Sequence, residues 1–145
     1  MNKLTLPFLF VLSGCTSTTQ PVESIVIIND DTSMRCAATC VEKDVAVTAG
    51  HCVGEKVSKI SFIREDGCVA PQIRLPIKGE EVIIKGSQGD RTTKVFDPKW
   101  LTWTLLEGRG IHSESGGGVY GRDGALLAII VETHDDYTYA HRVVQ

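Results

Sequence analysis

The feature that most constrains the fold is a succession of short apolar segments, each followed closely by a turn signal. Fourteen glycines are spread along the chain, and no long segment after the N-terminal residues carries apolar side chains at helical spacing. Short strands separated by Gly, Pro, Asn or Asp turns are typical of β-barrels and β-sandwiches. The sequence therefore predicts an all-β domain with about eight to ten strands.

The predicted strands lie between residues 24 and 144, and turn residues divide them. Asp-Gly pairs at residues 66–67 and 123–124 predict tight turns, and the Asp-Pro-Lys sequence at residues 97–99 predicts another. The apolar segments from which the strands are predicted cover residues 24–29, 34–41, 43–50, 59–63, 73–77, 79–86, 93–96, 101–106, 116–121, 125–132 and 137–144.

The N-terminal residues have the organisation of an export signal. A short positive start precedes an apolar run that is too short to span a membrane as a mature helix, and Leu-Ser-Gly-Cys follows. This pattern resembles the lipobox of bacterial lipoproteins, which implies removal of residues 1–14 and acylation of Cys15. Thr16, rather than Asp, follows the cysteine, which for such lipoproteins favours the outer membrane. Residues 15–23 are then a polar tether. An ordinary secretory signal with Cys15 present by chance is the alternative.

Net charge and export restrict the function classes. The formal net charge is −3, so nothing predicts binding to DNA or RNA through a basic surface. Exported proteins occupy oxidising compartments, so we expect the four remaining cysteines to form disulfides. Four cysteines allow three pairings, and their positions alone do not select one. The cysteines are Cys36, Cys40, Cys52 and Cys68.

A metal site is an alternative interpretation of part of this cysteine set. Cys36, Cys40 and Cys52 together with His51 include the residue types that bind zinc. However, these cysteines fall on or beside predicted strands, and export favours disulfides. We therefore expect no metal and no cofactor.

Two segments far apart in the chain carry the chemistry of an acyl transfer. Residues 47–52 (VTAGHC) deliver His51 at the end of a strand, and residues 113–130 (SESGGGVYGRDGALLAII) place Ser115 before three glycines. Glycines permit the tight turn that exposes a hydroxyl and its neighbouring amides to an oxyanion. A serine needs a base to become a nucleophile, and His51 is the obvious candidate.

These two segments resemble the histidine and serine motifs of the chymotrypsin/trypsin-like serine proteases, in the same chain order. The resemblance covers roughly residues 24–144 and implies a compact, shortened double β-barrel. It implies that Ser115 is the nucleophile and His51 the general base. The backbone N–H groups of Ser113 and Ser115 match the oxyanion-hole donors, although the family normally has glycine where Ser113 stands. Glu114 replaces the family's aspartate.

The resemblance also implies a disulfide pairing. In the family, the cysteine after the catalytic histidine is bonded to one sixteen positions earlier, and Cys52 lies sixteen residues after Cys36. The implied bonds are therefore Cys36–Cys52 and, by the remaining pair, Cys40–Cys68.

The resemblance also implies a third catalytic residue, an acid between the histidine and the serine in the chain. The best match is Asp66, although it lies only fifteen residues after His51 and is also the first residue of an Asp-Gly turn. Asp90, Asp97 and Glu65 are alternatives. A carboxylate is needed because it orients the imidazole and stabilises the imidazolium.

Substrate-binding residues follow from the same resemblance. Arg109, six residues before Ser115, matches the floor of the primary pocket, where a cation could favour acidic substrate side chains. Val131, Glu132 and Thr133 match the strand that borders the pocket and pairs with the substrate backbone.

The predicted function is a lipid-anchored serine endopeptidase with its protease domain at residues 24–145. Its predicted partners are a protein or peptide substrate and, through the lipid, a membrane; a monomer is expected. The alternative is a catalytically inactive domain of the same fold that binds a peptide or an envelope protein.

Overall fold

The computed structural model describes residues 25–29, 34–52, 57–62 and 68–144, and these ranges consist mainly of β-strands. The first four strands form a sheet in the order β3-β2-β1-β4, and the other six form a closed barrel in the order β10-β7-β6-β5-β8-β9. Neighbouring strands in both are antiparallel. The prediction of an all-β fold is confirmed. A closed barrel is present in the second half, and the described strands of the first half form the four-stranded sheet.

The elements have the following bounds. The sheet contains β1 (Ile25–Asn29), β2 (Met34–Glu42), β3 (Val45–Val47) and β4 (Val57–Phe62), and the barrel contains β5 (Glu81–Gly86), β6 (Gly89–Trp100), β7 (Trp103–Glu107), β8 (Gly118–Gly121), β9 (Leu126–His134) and β10 (Tyr137–Arg142). Two single 3₁₀ turns are η1 (Gly50–Cys52) and η2 (His112–Glu114). None of the helical segments in the described ranges is long and apolar enough to cross a membrane.

Strand β9 packs on both of its faces, which explains its unbroken apolar run. Leu127 and Ile130 belong to the barrel interior, together with residues of β5, β6, β7, β8 and β10. Leu126 and Ile129 lie in a second cluster, against which Val41 of β2 packs. Burial of each such side chain stabilises the fold by about 1.5–3 kcal/mol. The same strand therefore contributes to the barrel core and to the contact with the sheet.

The turn predicted at residues 97–99 is wrong, because these residues lie inside β6. The register between β6 and β7 shifts between Val95 and Asp97 and again between Asp97 and Trp100, as in β-bulges. A bulge tolerates Pro98, which has no N–H for the ladder. The chain reverses instead at Leu101, which has a φ of 58°.

The strand predicted at residues 73–77 is also absent. Only Ile73 forms an isolated bridge, with Leu126 at the start of β9. Pro76 interrupts any ladder at this point. Arg74 fixes the segment instead, because its guanidinium hydrogen-bonds both Glu80 (2.8 and 3.0 Å) and Asp123 (2.9 and 3.0 Å).

Two disulfides, Cys36–Cys52 and Cys40–Cys68, cross-link segments within the first half of the described chain. These are the two bonds that the family resemblance implies. The cysteines are buried with Ala38 and Ala49 in a small cluster of their own. The bonds span 16 and 28 residues, and loops of this size give a stabilisation of about 3–4 kcal/mol each in the chain-entropy model. They compensate for the small apolar core beside β2 and β3.

The carboxylate of Asp123 predicts a pH-dependent contribution to stability. Hydrogen bonds from Arg74 lower the pKa of Asp123 below its ordinary value of 3.8. A carboxyl group whose pKa falls on folding stabilises the fold above the unfolded pKa, and this contribution is lost as pH falls through the folded pKa. We expect Asp123→Asn to reduce the free energy of unfolding at about pH 7 by about 1 kcal/mol or less, since Asp123 is half exposed.

Urea unfolding at about pH 7 and about pH 3 measures this difference. The loss should shrink at the lower pH. Asp136→Asn, at an exposed turn position, is the matched control. An equal loss for Asp123→Asn at both pH values contradicts the assignment.

Candidate active site

The two motif residues meet where the sheet contacts the barrel. His51 lies in η1, just after β3, and Ser115 follows η2 and precedes β8. The Nε2 atom of His51 is 3.0 Å from the Oγ atom of Ser115. Ser115 is 8% exposed, whereas His51 is open to solvent. This distance allows the imidazole to take the hydroxyl proton directly.

Backbone hydrogen bonds fix the Ser115 loop to both halves of the molecule. The N–H of Ala37 in β2 donates to the Ser115 carbonyl at 2.8 Å. On the other side, the Gly116 N–H donates to the Ile130 carbonyl, and the Ile130 N–H donates to the Gly117 carbonyl, each at 2.8 Å. The loop is therefore held between β2 and β9, which positions the hydroxyl independently of its own side-chain contacts.

Glycine is required at position 116. The backbone there has a φ of 82°, in the left-handed region that other residues rarely adopt. A Cβ atom at this position would overlap the Ala37 carbonyl oxygen and the Thr48 hydroxyl. Thr48 itself donates to the Ala37 carbonyl at 2.7 Å. The glycine thus lets β2 approach close enough to hold Ser115.

The Cys36–Cys52 disulfide holds the short turn that carries His51. Cys52 follows the histidine directly, and its N–H donates to the Ala49 carbonyl at 2.9 Å. The sulfur atoms of Cys36 and Cys52 lie within 4.8 Å of a His51 ring nitrogen, but both sulfurs belong to the disulfide. A disulfide sulfur is not a thiolate, so this cluster does not offer the ligands on which the zinc interpretation depends.

The predicted acid of the triad, Asp66, lies outside the described residues, as does Glu65. Two other candidates have partners elsewhere: Asp90 pairs with Lys85 Nζ, and Asp97 accepts a hydrogen bond from the Lys99 N–H. Within the described ranges, no carboxylate is hydrogen-bonded to the His51 ring. The acid therefore stays a prediction.

The proposed oxyanion donors lie within η2, for Ser113, and directly after it, for Ser115. Ser113 adopts the right-handed conformation of a 3₁₀ turn, which serine accepts without strain. Its carbonyl accepts hydrogen bonds from the N–H and the hydroxyl of Ser87, both at 3.0 Å. The Glu114 N–H donates to the Ile111 carbonyl at 3.0 Å. The oxyanion role of Ser113 and Ser115 stays a prediction.

A cavity of about 370 Å³ opens beside the His51–Ser115 pair. Of the residues predicted to bind substrate, three line this cavity: Val131, Glu132 and Thr133. Arg109 is exposed and does not line it. The remaining lining residues are His51, Gly110, Ile111, Ser115, Ile130 and Thr138.

Sequence reasoning missed some of these residues. Thr138 lies in β10, where it pairs with Thr133 of β9. In the sequence, only its position in the last predicted strand could have indicated a place in the site. Gly110 and Ile111 lie in a loop whose alignment with the family motif is loose. Their proximity to Ser115 could have been inferred from chain distance alone.

The fold is shared with solved serine proteases at very low sequence identity. No protein-family model and no curated protein sequence matches the chain. The structure of the Rv3671c protease from M. tuberculosis, in an inactive form, has a TM-score of 0.62 at 10% identity, with 83% of each chain covered.

Two other structures match at similar levels. The serine endoprotease from Yersinia pestis has a TM-score of 0.61 at 13% identity, and the HtrA-type protease AlgW with tripeptide has 0.59 at 12%. The alignments cover 83% and 84% of this chain, but only 58% and 56% of those chains. The chain therefore has the trypsin-like serine protease fold, and its aligned part spans a little over half the length of these two structures.

Gly116→Ala tests the close approach of β2 to the Ser115 loop. We expect the free energy of unfolding to fall by about 3 kcal/mol or more, because the new methyl group meets backbone at a strained φ. Thermal or urea unfolding measures the loss. Gly50→Ala is the matched control, since a Cβ there meets no atom within 4 Å. Equal stability of the two variants contradicts the packing described.

Proposed function

We propose that the chain is a serine endopeptidase that cleaves peptide bonds through Ser115 and His51. The observation that carries this proposal is the 3.0 Å contact between His51 Nε2 and Ser115 Oγ at the junction of the two β units. The trypsin-like fold supports it, because the neighbouring structures are serine proteases. Both residues come from one chain, so the proposed chemistry needs no second subunit, and we propose that the protein acts as a monomer.

The proposed reaction passes through an acyl-enzyme. Ser115 Oγ attacks the carbonyl carbon of the scissile bond while His51 Nε2 takes the hydroxyl proton. The N–H groups of Ser113 and Ser115 stabilise the oxyanion, and His51 then gives its proton to the leaving amine. Water, activated by the same imidazole, hydrolyses the ester and restores Ser115. Asp66 is the proposed acid that orients His51.

The substrate backbone is proposed to bind along residues 131–133. Strand β8 pairs with β9 only as far as Ile129, and β10 pairs with the other edge of β9. Residues 131–133 have no second strand partner among the described residues, so this edge can accept an extended peptide by β-addition. These residues also border the cavity beside Ser115.

The cavity is proposed to accept an uncharged side chain. Ile111, Ile130 and Val131 contribute apolar surface to its lining. The two threonine hydroxyls already donate to carbonyls, Thr133 to Tyr137 and Thr138 to Gly108. The acidic group of Glu132 pairs with His134 at 2.9 Å.

A fluorophosphonate probe tests the nucleophile. We expect wild type in its oxidised form to be labelled at Ser115, Ser115→Ala to be unlabelled, and His51→Ala to react at less than about one-thousandth of the wild-type rate. Mass spectrometry of the labelled peptide identifies the site. His141→Ala, an exposed histidine on β10, is the control and should react like wild type. Folded wild type that stays unlabelled overturns the proposal.

The second candidate function is an inactive binding domain of the same fold. The observation that favours it is the lack of a carboxylate bonded to His51 within the described ranges. In that case casein is not cleaved and Ser115 is not labelled, although a peptide still binds along residues 131–133. Cleavage of casein by wild type, abolished in His51→Ala, rejects this candidate.

We also propose that Cys15 carries a lipid that anchors the protein to the bacterial outer membrane. Cys15 lies outside the described residues, and the proposal depends on the lipobox pattern. In a bacterial host fed an alkyne fatty acid, we expect wild type to incorporate the label and to sediment with membranes. Cys15→Ser should lose both properties, while Ser115 of this variant still reacts with the fluorophosphonate probe. An unlabelled, soluble wild type contradicts anchoring.

A further inference from the structure

The turn between β6 and β7 presents an apolar surface that takes no part in the proposed reaction. Leu101 is 74% exposed, more than any other large apolar side chain among the described residues, and the neighbouring Trp100 is 43% exposed. Trp100 pairs with Trp103 across the turn. The chain contains two tryptophans, so both of them lie at this place. We call residues 99–103 the β6–β7 tip.

The backbone of the tip suits a different residue from the one that it carries. Leu101 has a φ of 58°, in the left-handed region where glycine and asparagine are the usual turn residues. A leucine in this conformation is strained, and so exposed a side chain gains little from burial in the fold. The outlier therefore indicates a role for this side chain outside the folding of the domain.

Arg142 of β10 supports the tip from within the protein. Its side chain is buried, and its guanidinium donates to the carbonyls of Trp103 at 2.9 Å, Leu101 at 3.1 Å and Pro98 at 3.4 Å. The Thr104 hydroxyl also donates to the Pro98 carbonyl, at 2.9 Å. Carbonyls that are satisfied within the protein can enter a poorly hydrated environment, whereas unpaired ones cannot do so without a large cost.

Aromatic rings surround the base of the tip. Tyr139 of β10 makes edge-on ring contacts with both indoles, at 6.1 Å from Trp100 and 5.9 Å from Trp103. Indole and phenol rings have an apolar body and a polar edge, so they concentrate at the boundary between the headgroups and the acyl chains of membranes. The composition of the tip therefore fits the surface of a bilayer.

The charge distribution also favours a bilayer at this end of the barrel. The whole chain has a net charge of −3, yet residues 98–104 and 139–144 contain no aspartate or glutamate. Lys99 of the tip is exposed. At the other end of β10, by contrast, residues 135–136 are both aspartates. An anionic phospholipid surface therefore attracts the tip and repels the opposite end of the strand.

The proposed lipid on Cys15 would keep the tip close to such a surface. Cys15 lies ten positions before Ile25, the first residue of β1. Ten residues span at most about 35 Å even when they are fully extended. A domain confined to this distance meets the bilayer at a high effective concentration, so a small apolar contact is sufficient to orient it.

We propose that the β6–β7 tip docks on the phospholipid surface to which Cys15 is attached, with Leu101 and the two indoles among the headgroups. This inference rests on the proposed lipid anchor. Thr138, which lines the cavity of the candidate active site, lies three residues before His141 on β10, and His141 pairs with the tip. The cavity is therefore about 10 Å further from the bilayer than the tip, and it faces the surrounding solution.

Tryptophan fluorescence tests the docking, because Trp100 and Trp103 are the only tryptophans of the chain. The lipidated protein is reconstituted into vesicles of phosphatidylethanolamine and phosphatidylglycerol whose acyl chains carry bromine, which quenches an indole only at short range. We expect strong quenching of wild type relative to the same vesicles without bromine. The emission should also shift to shorter wavelength when the protein is reconstituted.

Leu101→Asn separates docking from folding. Asparagine suits the left-handed φ, so we expect a melting temperature equal to that of wild type or higher. Loss of the apolar side chain should shift the docking equilibrium away from the bilayer about tenfold or more, so that most of the quenching disappears. Ile77→Asn is the matched control, because Ile77 is 61% exposed in the segment before β5. It should be quenched like wild type.

Failure of the anchor and failure of the docking give different results. Wild type that carries the fatty acid and sediments with the vesicles, yet is not quenched, overturns the inference and leaves the anchor intact. Wild type that carries no lipid is mixed with the same vesicles, and quenching or its absence then decides the docking alone. Equal quenching of wild type and Leu101→Asn overturns the inference. A wavelength shift that depends on protein concentration without vesicles also overturns it, because it shows that two copies meet at the tip.

Discussion

The structure depends on the hydrogen bond from the Ala37 N–H to the Ser115 carbonyl. Through it, a strand of the sheet holds a loop of the barrel, and the two motif residues come within 3.0 Å of one another. The contact is possible only because Gly116 has no side chain to separate the two backbones. A local backbone requirement thereby sets the long-range geometry of the site. The same hydrogen bond therefore positions Ser115 and joins the sheet to the barrel.

Sequence reasoning succeeded where local pattern and chemistry agree. His51 is followed by a disulfide-bonded cysteine and Ser115 by glycines, and the structure uses both features to hold these residues in place. The two segments could therefore be recognised from their local sequence. The all-β class also followed from turn residues between short apolar runs. Two predictions were wrong: the strand at residues 73–77 ignored Pro76 inside the apolar segment, and the turn at residues 97–99 took Pro98 as a turn residue. In the structure Arg74 side-chain contacts and a β-bulge, respectively, accommodate those segments.

Other parts of the site were beyond sequence reasoning for a physical reason. Arg91 and Glu114 are 23 residues apart, and their contact depends on the closure of the barrel rather than on any local pattern. Thr138 lines the cavity because β10 pairs with β9, which is also a contact that no local sequence pattern predicts. Arg109 was assigned by chain distance from Ser115, yet a loop side chain can point to either side, and this one is exposed. The predicted acid Asp66 and the alternative Glu65 lie outside the described ranges, so the identity of the acid stays a prediction.

Both disulfides secure the half of the molecule that carries the histidine, whereas the described barrel that carries the serine is held by packing, strand pairing and ion pairs. Thiol reduction would therefore act unequally on the two halves. Under reducing conditions, the turn that carries His51 would lose its covalent link to β2, while the barrel that carries Ser115 would keep all of its own contacts. The redox state of Cys36 and Cys52 would therefore decide how firmly the imidazole is held against the Ser115 hydroxyl.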